Sequence, residues 1–164
     1  MFKKTSAVFV LLFLVLASCA PAANAIIGKV VGVADGDTIT VLENRTQYKI
    51  RLYGIDAPES HQDFGNRAKQ FTADLVFGKT VQVEKMDTDR YGRTVGIVTV
   101  GKVCVNEELI KNGFAWVYHR YCKIPICGDW YALETHAKAG KKGLWAHTDP
   151  MPPWEFRRNK RANR

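Results

Sequence analysis

The chain has 164 residues, 46% of them hydrophobic and 24% charged, with 24 Lys+Arg against 16 Asp+Glu for a formal charge of +8. No internal repeat, low-complexity tract or long linker divides it, so the reading is one domain with one hydrophobic core. The basic balance suits a polyanionic partner or an anionic membrane face; many secreted domains are basic for no functional reason, so charge alone decides little.

Residues 1–25 read as an export signal. Lys3 and Lys4 form a charged n-region and Ala7 to Leu16 an apolar run too short to span a bilayer. Two cleavage sites compete: a lipobox at Leu16-Ala17-Ser18-Cys19, whose cysteine would be lipidated, and an A-x-A site at Ala23-Asn24-Ala25. Either one places the protein outside the cytoplasm, secreted, periplasmic or lipid-anchored. Lys3 and Lys4 are the only charges before Ile26, so the remainder keeps 22 basic and 16 acidic residues, a net +6. Residues 26–147 read as a globular domain and 148–164 as a basic tail. A monomer is the default, and no protein partner is implied.

The first half of the domain is strand-like. Lys29 to Val33, Thr38 to Leu42 and Gln47 to Tyr53 are β-branched and apolar-rich, punctuated by Asp35-Gly36 and by Glu43-Asn44-Arg45. Residues 66–77 switch to helical spacing, with Ala68, Phe71 and Leu75 on one stripe and Gly78 as the stop. Thr80 to Lys85 and Thr94 to Val100 read as strands around a turn at 87–93. Asn106 is placed as the N-cap of a second helix, with Glu107 and Glu108 in its first turn and Gly113 after its end. A third helix runs from Asp129 or Trp130 to Ala139. The fold class is α+β, mostly β: a small OB-type barrel with inserted helices.

Of the cysteines after the leader, Cys104 sits between valines and reads as a buried free thiol. Cys122 and Cys127 bracket Lys-Ile-Pro-Ile and suit a small disulfide loop in an oxidising compartment. The alternative is a zinc site from His119, Cys122, Cys127 and His136. In the tail, Trp154 and Phe156 among Arg157, Arg158, Lys160, Arg161 and Arg164 read either as a phosphate-tracking contact or as aromatics docked on the domain with a fraying end; docking is favoured.

The chemistry concentrates in Asp35-Gly36-Asp37-Thr38, in Arg51-Leu52-Tyr53-Gly54-Ile55-Asp56-Ala57-Pro58-Glu59 and in Asp89-Arg90-Tyr91-Gly92-Arg93. Hydrolysing a phosphodiester requires neutralised phosphate charge, an activated water and a stabilised five-coordinate transition state. Asp37 and Asp56 offer hard carboxylate oxygens for a cation such as calcium, and Pro58 biases Ala57 towards an extended conformation in which its carbonyl adds a third. Glu59 can take a proton from water. Arg51 and Arg93 carry planar forks that match phosphate oxygens. Each residue also has a bland reading: a turn aspartate, loop carboxylates beside a proline, a strand arginine paired with Asp56, an exposed hairpin charge. From the residues alone the two stand near even.

These three blocks resemble the signature blocks of the staphylococcal nuclease (thermonuclease) family. Asn106-Glu107-Glu108-Leu109, Gly113-Phe114-Ala115-Trp116-Val117-Tyr118 and Gly143-Leu144-Trp145 resemble its later ones, in order, from Gly28 to Trp145. The resemblance implies a five-stranded OB-type barrel with three helices and a calcium-dependent endonuclease acting on DNA and RNA and leaving three-prime phosphates. It implies Asp37, Asp56 and the Ala57 carbonyl as calcium ligands and Glu59 as general base. Arg51 and Arg93 become the catalytic arginines, and Tyr91 and Tyr121 substrate contacts. The chain departs from the founding nuclease in a shorter Ser60 to Gly65 segment, in His119 where that protein has tyrosine, and in the Cys122 to Cys127 loop. The rival classes are a non-catalytic nucleic-acid-binding OB module, which would not need acids beside a phosphate site, and a structural envelope lipoprotein resting on Cys19.

Overall fold

β-Branched runs with alternating burial generate the strands, and their pairing closes on itself. The computed structural model describes residues 25–163; the lipobox and all of the export signal before Ala25 lie outside what it describes. Strand β1 (Ala25–Asp35) pairs antiparallel with β2 (Thr38–Glu43), which pairs with β3 (Thr46–Leu52). A two-residue strand β4 (Ile55–Asp56) follows, then helix α1 (Gly65–Val76). Strands β5 (Thr80–Thr88) and β6 (Thr94–Val100) form the next hairpin, with β5 also lying on β1. A parallel pairing of β3 with β6 closes the five long strands into a barrel.

The inward residues of the barrel, among them Val30, Ile39, Val41, Ile50, Leu52, Val81, Val83 and Val98, are essentially inaccessible to solvent. Burying a side chain of this kind stabilises by about 1.5–3 kcal/mol. β1 is bulged twice, between Val30 and Gly32 and between Val33 and Asp35. The second bulge re-aims the strand end that carries Asp35.

The remaining elements cap the barrel. β7 (Val103–Cys104) adds to β6 and leads into α2 (Val105–Lys111). β8 (Trp116–Val117) pairs with β4, aligning Trp116 with Asp56. Helix α3 (Cys127–Ala139), a 3-10 turn at Gly143–Ala146 and helix α4 (Pro153–Ala162) complete the chain. No helix among the described residues is long and apolar enough to cross a membrane.

Several local expectations need correction. Four α-helices form rather than three, because the basic tail folds into α4 instead of only docking and fraying. The helix starts are shifted: α3 begins at Cys127, and α2 is capped at Cys104, not Asn106. Asn106 lies inside α2 with its amide fully buried, accepting from the Val98 N–H at 3.0 Å and donating to the Tyr53 carbonyl at 3.0 Å. It holds α2 against the barrel. The buried line of α1 is Ala68, Thr72 and Val76, with Phe71 at its edge stacked on Phe114 at 4.5 Å. Cys104 is free but only half-buried, and that burial pushes its thiol above the usual range. Cys122 and Cys127 form a disulfide, which leaves no thiolate for zinc.

Candidate active site

The antiparallel register pairs Thr38 at the start of β2 with Arg51 near the end of β3. That single alignment brings Asp37 and Arg51 together. Nη1 of Arg51 meets the Asp37 carboxylate, and its Nη2 donates to Asp56 Oδ1 at 2.7 Å. Asp37 Oδ2 also accepts the Ala57 N–H at 2.6 Å, stitching the Asp35–Asp37 turn to the segment after β4. The approach requires Gly36: a Cβ there would sit 2.7 Å from the Ala57 Cβ and 2.8 Å from the Ala68 Cβ. Thr72 of α1 locks the turn by donating to the Gly36 carbonyl at 2.7 Å. Behind Glu59 the chain turns back so tightly that a Cβ on Gly65 would overlap the Glu59 carbonyl.

Asp37, Arg51, Asp56, Ala57 and Glu59 line one cleft of about 940 Å³, which also takes in Tyr91, Arg93 and Tyr121. Arg51 and Arg93 thus face the same space as Asp37, Asp56 and Glu59. Arg93 does not touch the acids: its Nε donates to Asp89 Oδ2 at 2.6 Å. Burial would raise the Asp89 carboxyl, but its hydrogen bonds from Arg93 and Tyr91 outweigh that and hold it below the usual range. The parallel pairing of β3 with β6 delivers this turn to the cleft. Tyr91 is 70% exposed with Arg90 and Arg93 over its ring at 4.9 and 5.6 Å. Tyr121 is 55% exposed, edge-on to Tyr118 at 4.9 Å. Its ring faces outward instead of packing into the barrel.

Two residues of the cleft went unassigned in the sequence. Asp35 adds a fourth carboxyl, its Oδ1 accepting the Asp37 N–H at 3.1 Å. Burial, then the neighbouring Asp37, push it up to about 7. Arg157 of α4 reaches back across the cleft, with Nη2 on Asp56 Oδ2 at 2.6 Å and Nη1 on Glu59 Oε1 at 2.6 Å. Trp154 carries it there, stacked on Tyr118 at 5.1 Å and edge-on to Trp116 at 6.5 Å. The signal was present in the spacing: Trp154, Arg157, Arg158 and Arg161 stand at i, i+3, i+4 and i+7, one face of a helix.

At the centre of the cleft Asp35, Asp37, Asp56 and Glu59 cluster around Arg51 and Arg157, while Arg90, Arg93, Arg120, Arg158 and Arg161 line the space around them. Burial of Arg51 and Arg157 opposes their charge, yet the acids outweigh it and hold both above their ordinary range. Asp56 is raised, chiefly by burial. Two buried carboxylates, Asp37 and Asp56, with Glu59 half-exposed beside them, offer hard oxygens of the kind a divalent cation takes. Among the described residues no three His, Cys, Asp or Glu side chains stand at metal-ligating spacing. Asp37, Asp56 and the Ala57 backbone do converge.

Comparison with known proteins bears on the same segment. The family model described as staphylococcal nuclease homologue matches residues 49–147. The chain belongs to the staphylococcal nuclease family. An uncharacterized endonuclease of Escherichia coli O157:H7 is 42% identical over 134 residues, 81% of this chain and 86% of that protein. A micrococcal nuclease of Shigella flexneri is 42% identical over 140 residues, 80% of each. An uncharacterized endonuclease of Haemophilus influenzae is 38% identical over 154 residues, 93% of this chain and 84% of the relative. This staphylococcal nuclease family member is a hydrolase of nucleic-acid phosphodiesters, and its closed five-stranded barrel accords with the expected OB-type fold.

Proposed function

We propose that the chain is an exported, calcium-dependent endonuclease that cuts both DNA and RNA with little sequence preference. The observation that carries this is the convergence of Asp37, Arg51, Asp56 and Glu59 from three separate segments into one cleft, with Arg93 lining it. A binding module has no use for clustered carboxylates beside a phosphate, because they repel it.

In this reading Asp37, Asp56 and the Ala57 carbonyl hold calcium, which supplies charge neutralisation at the phosphate and eases ionisation of water. Glu59, at the cleft mouth with a side chain 37% exposed, accepts the proton of the attacking water. Arg51 stabilises the negative charge growing on the phosphoryl oxygens. Arg93 is poised to exchange Asp89 for the same oxygens. Tyr91 and Tyr121 present exposed rings to the nucleotide. The leader with its n-region and apolar run supports action outside the cytoplasm.

The test is a panel of single- and double-stranded DNA and RNA with calcium present. All four are expected to be cut, leaving three-prime phosphates. Tight binding without cleavage would instead make the domain a non-catalytic nucleic-acid module.

A further inference from the structure

We infer that the C-terminal segment is a brace for the loop carrying Glu59, with Arg157 a positioning residue that sets its carboxylate; this rests on the proposed role of Glu59.

The Glu59 backbone is held in its turn, its carbonyl accepting the Gln62 N–H at 2.8 Å, but its side chain projects from a segment between β4 and α1 that belongs to neither barrel nor helix. Its carboxylate takes one contact among the described residues, the 2.6 Å bond from Arg157 Nη1. The same guanidinium grips Asp56 through Nη2 at 2.6 Å and Nη1 at 3.2 Å. Asp56 is itself fixed by β4, by its Arg51 contact and by near-complete burial. Arg157 therefore ties the half-exposed Glu59 carboxylate to a buried one fixed on β4. A planar fork with five donors in fixed geometry holds two carboxylates at a defined separation, where an ammonium acts as a point charge with no fixed orientation.

A second tether acts on the same loop from the same segment. Gln62 accepts the Glu59 N–H through Oε1 at 3.2 Å and donates through Nε2 to the Met151 carbonyl. Phe64, the residue before α1, stands edge-on to His147 at 5.4 Å. The loop is thus held at 59, 62 and 64 by residues 157, 151 and 147. The segment is itself seated firmly, through the Trp154 stack on Tyr118 and the burial of Pro153.

The experiment uses the full chain as wild type, Arg157→Ala, Glu59→Gln and the double variant. Single-stranded DNA cleavage is measured together with amide hydrogen exchange over residues 60–65. Displacing a reacting group by about 1 Å costs on the order of 10²-fold. Arg157→Ala is accordingly expected to lower kcat by about 10- to 100-fold while KM changes by less than about threefold. In the Glu59→Gln background it should remove nothing further, because its effect passes through Glu59. Exchange over 60–65 should quicken in Arg157→Ala. Equal fractional losses in both backgrounds would overturn the inference by making Arg157 an independent substrate contact. An unchanged or raised kcat would overturn it by making the guanidinium a mere cover for the acids. Full activity of Glu59→Gln would remove the catalytic reading of that residue. The brace would then stand or fall on exchange alone, and unchanged exchange over 60–65 overturns it.

Discussion

Glu59→Gln is expected to lower cleavage by about 10²- to 10⁴-fold, the usual worth of a positioned general base, and to leave the fold intact. The amide keeps the length and planarity of the side chain but cannot take a proton from water. Structural damage should be slight. Glu59 is 37% exposed and its one ion pair among the described residues is with Arg157, itself 32% exposed; contacts this open to solvent contribute about 0–1 kcal/mol. Turnover on DNA, measured beside thermal unfolding, separates the two effects. Turnover equal to wild type would strip Glu59 of its role.

Arg51→Lys is expected to cost about 10²- to 10³-fold in kcat, as loss of a preorganised charge donor does elsewhere. Arg51 is only 15% exposed and spans Asp37 and Asp56 at once. A lysine keeps the charge but offers one point where the guanidinium offers a fork, so it cannot bridge both acids and still face a phosphate. Lysine is the informative change, because alanine would leave the buried Asp37 carboxylate without its ion partner at a cost of roughly 3–5 kcal/mol. Kinetics together with a denaturation curve checks it: a folded Arg51→Lys protein with near-wild-type kcat would show that a point charge suffices.

The sequence made the long strands legible because Thr38–Glu43, Thr46–Leu52 and Thr94–Val100 are dense in β-branched residues between clear turn signals. It hid β4 and β8, which have two residues each and so show no alternation at all. Asn106 carried an N-cap signal, yet its amide serves two backbone groups of the barrel, a tertiary demand that local preference does not reveal. The helix α4 was readable in part: Pro153 occupies a position where proline starts helices, and Trp154 and Arg157 share a face. The charge density of that tail masked it.

The same division holds in the cleft. Arg51 through Glu59 lie within nine residues of one another, so their shared chemistry shows in a single motif. Asp35 shows only through its environment, which pushes its carboxyl up to about 7. Arg157 is separated from Glu59 by 98 positions, and no spacing rule connects residues that only folding brings together.

Digestion of plasmid DNA by the wild-type chain, run in calcium and in an excess of calcium-selective chelator, tests the acidic cluster most directly. Complete digestion in calcium, none in chelator and weak recovery with magnesium is the expected result. Undiminished digestion in chelator would contradict it, leaving Asp37 and Asp56 as counter-ions to Arg51 and Arg157 and nothing more.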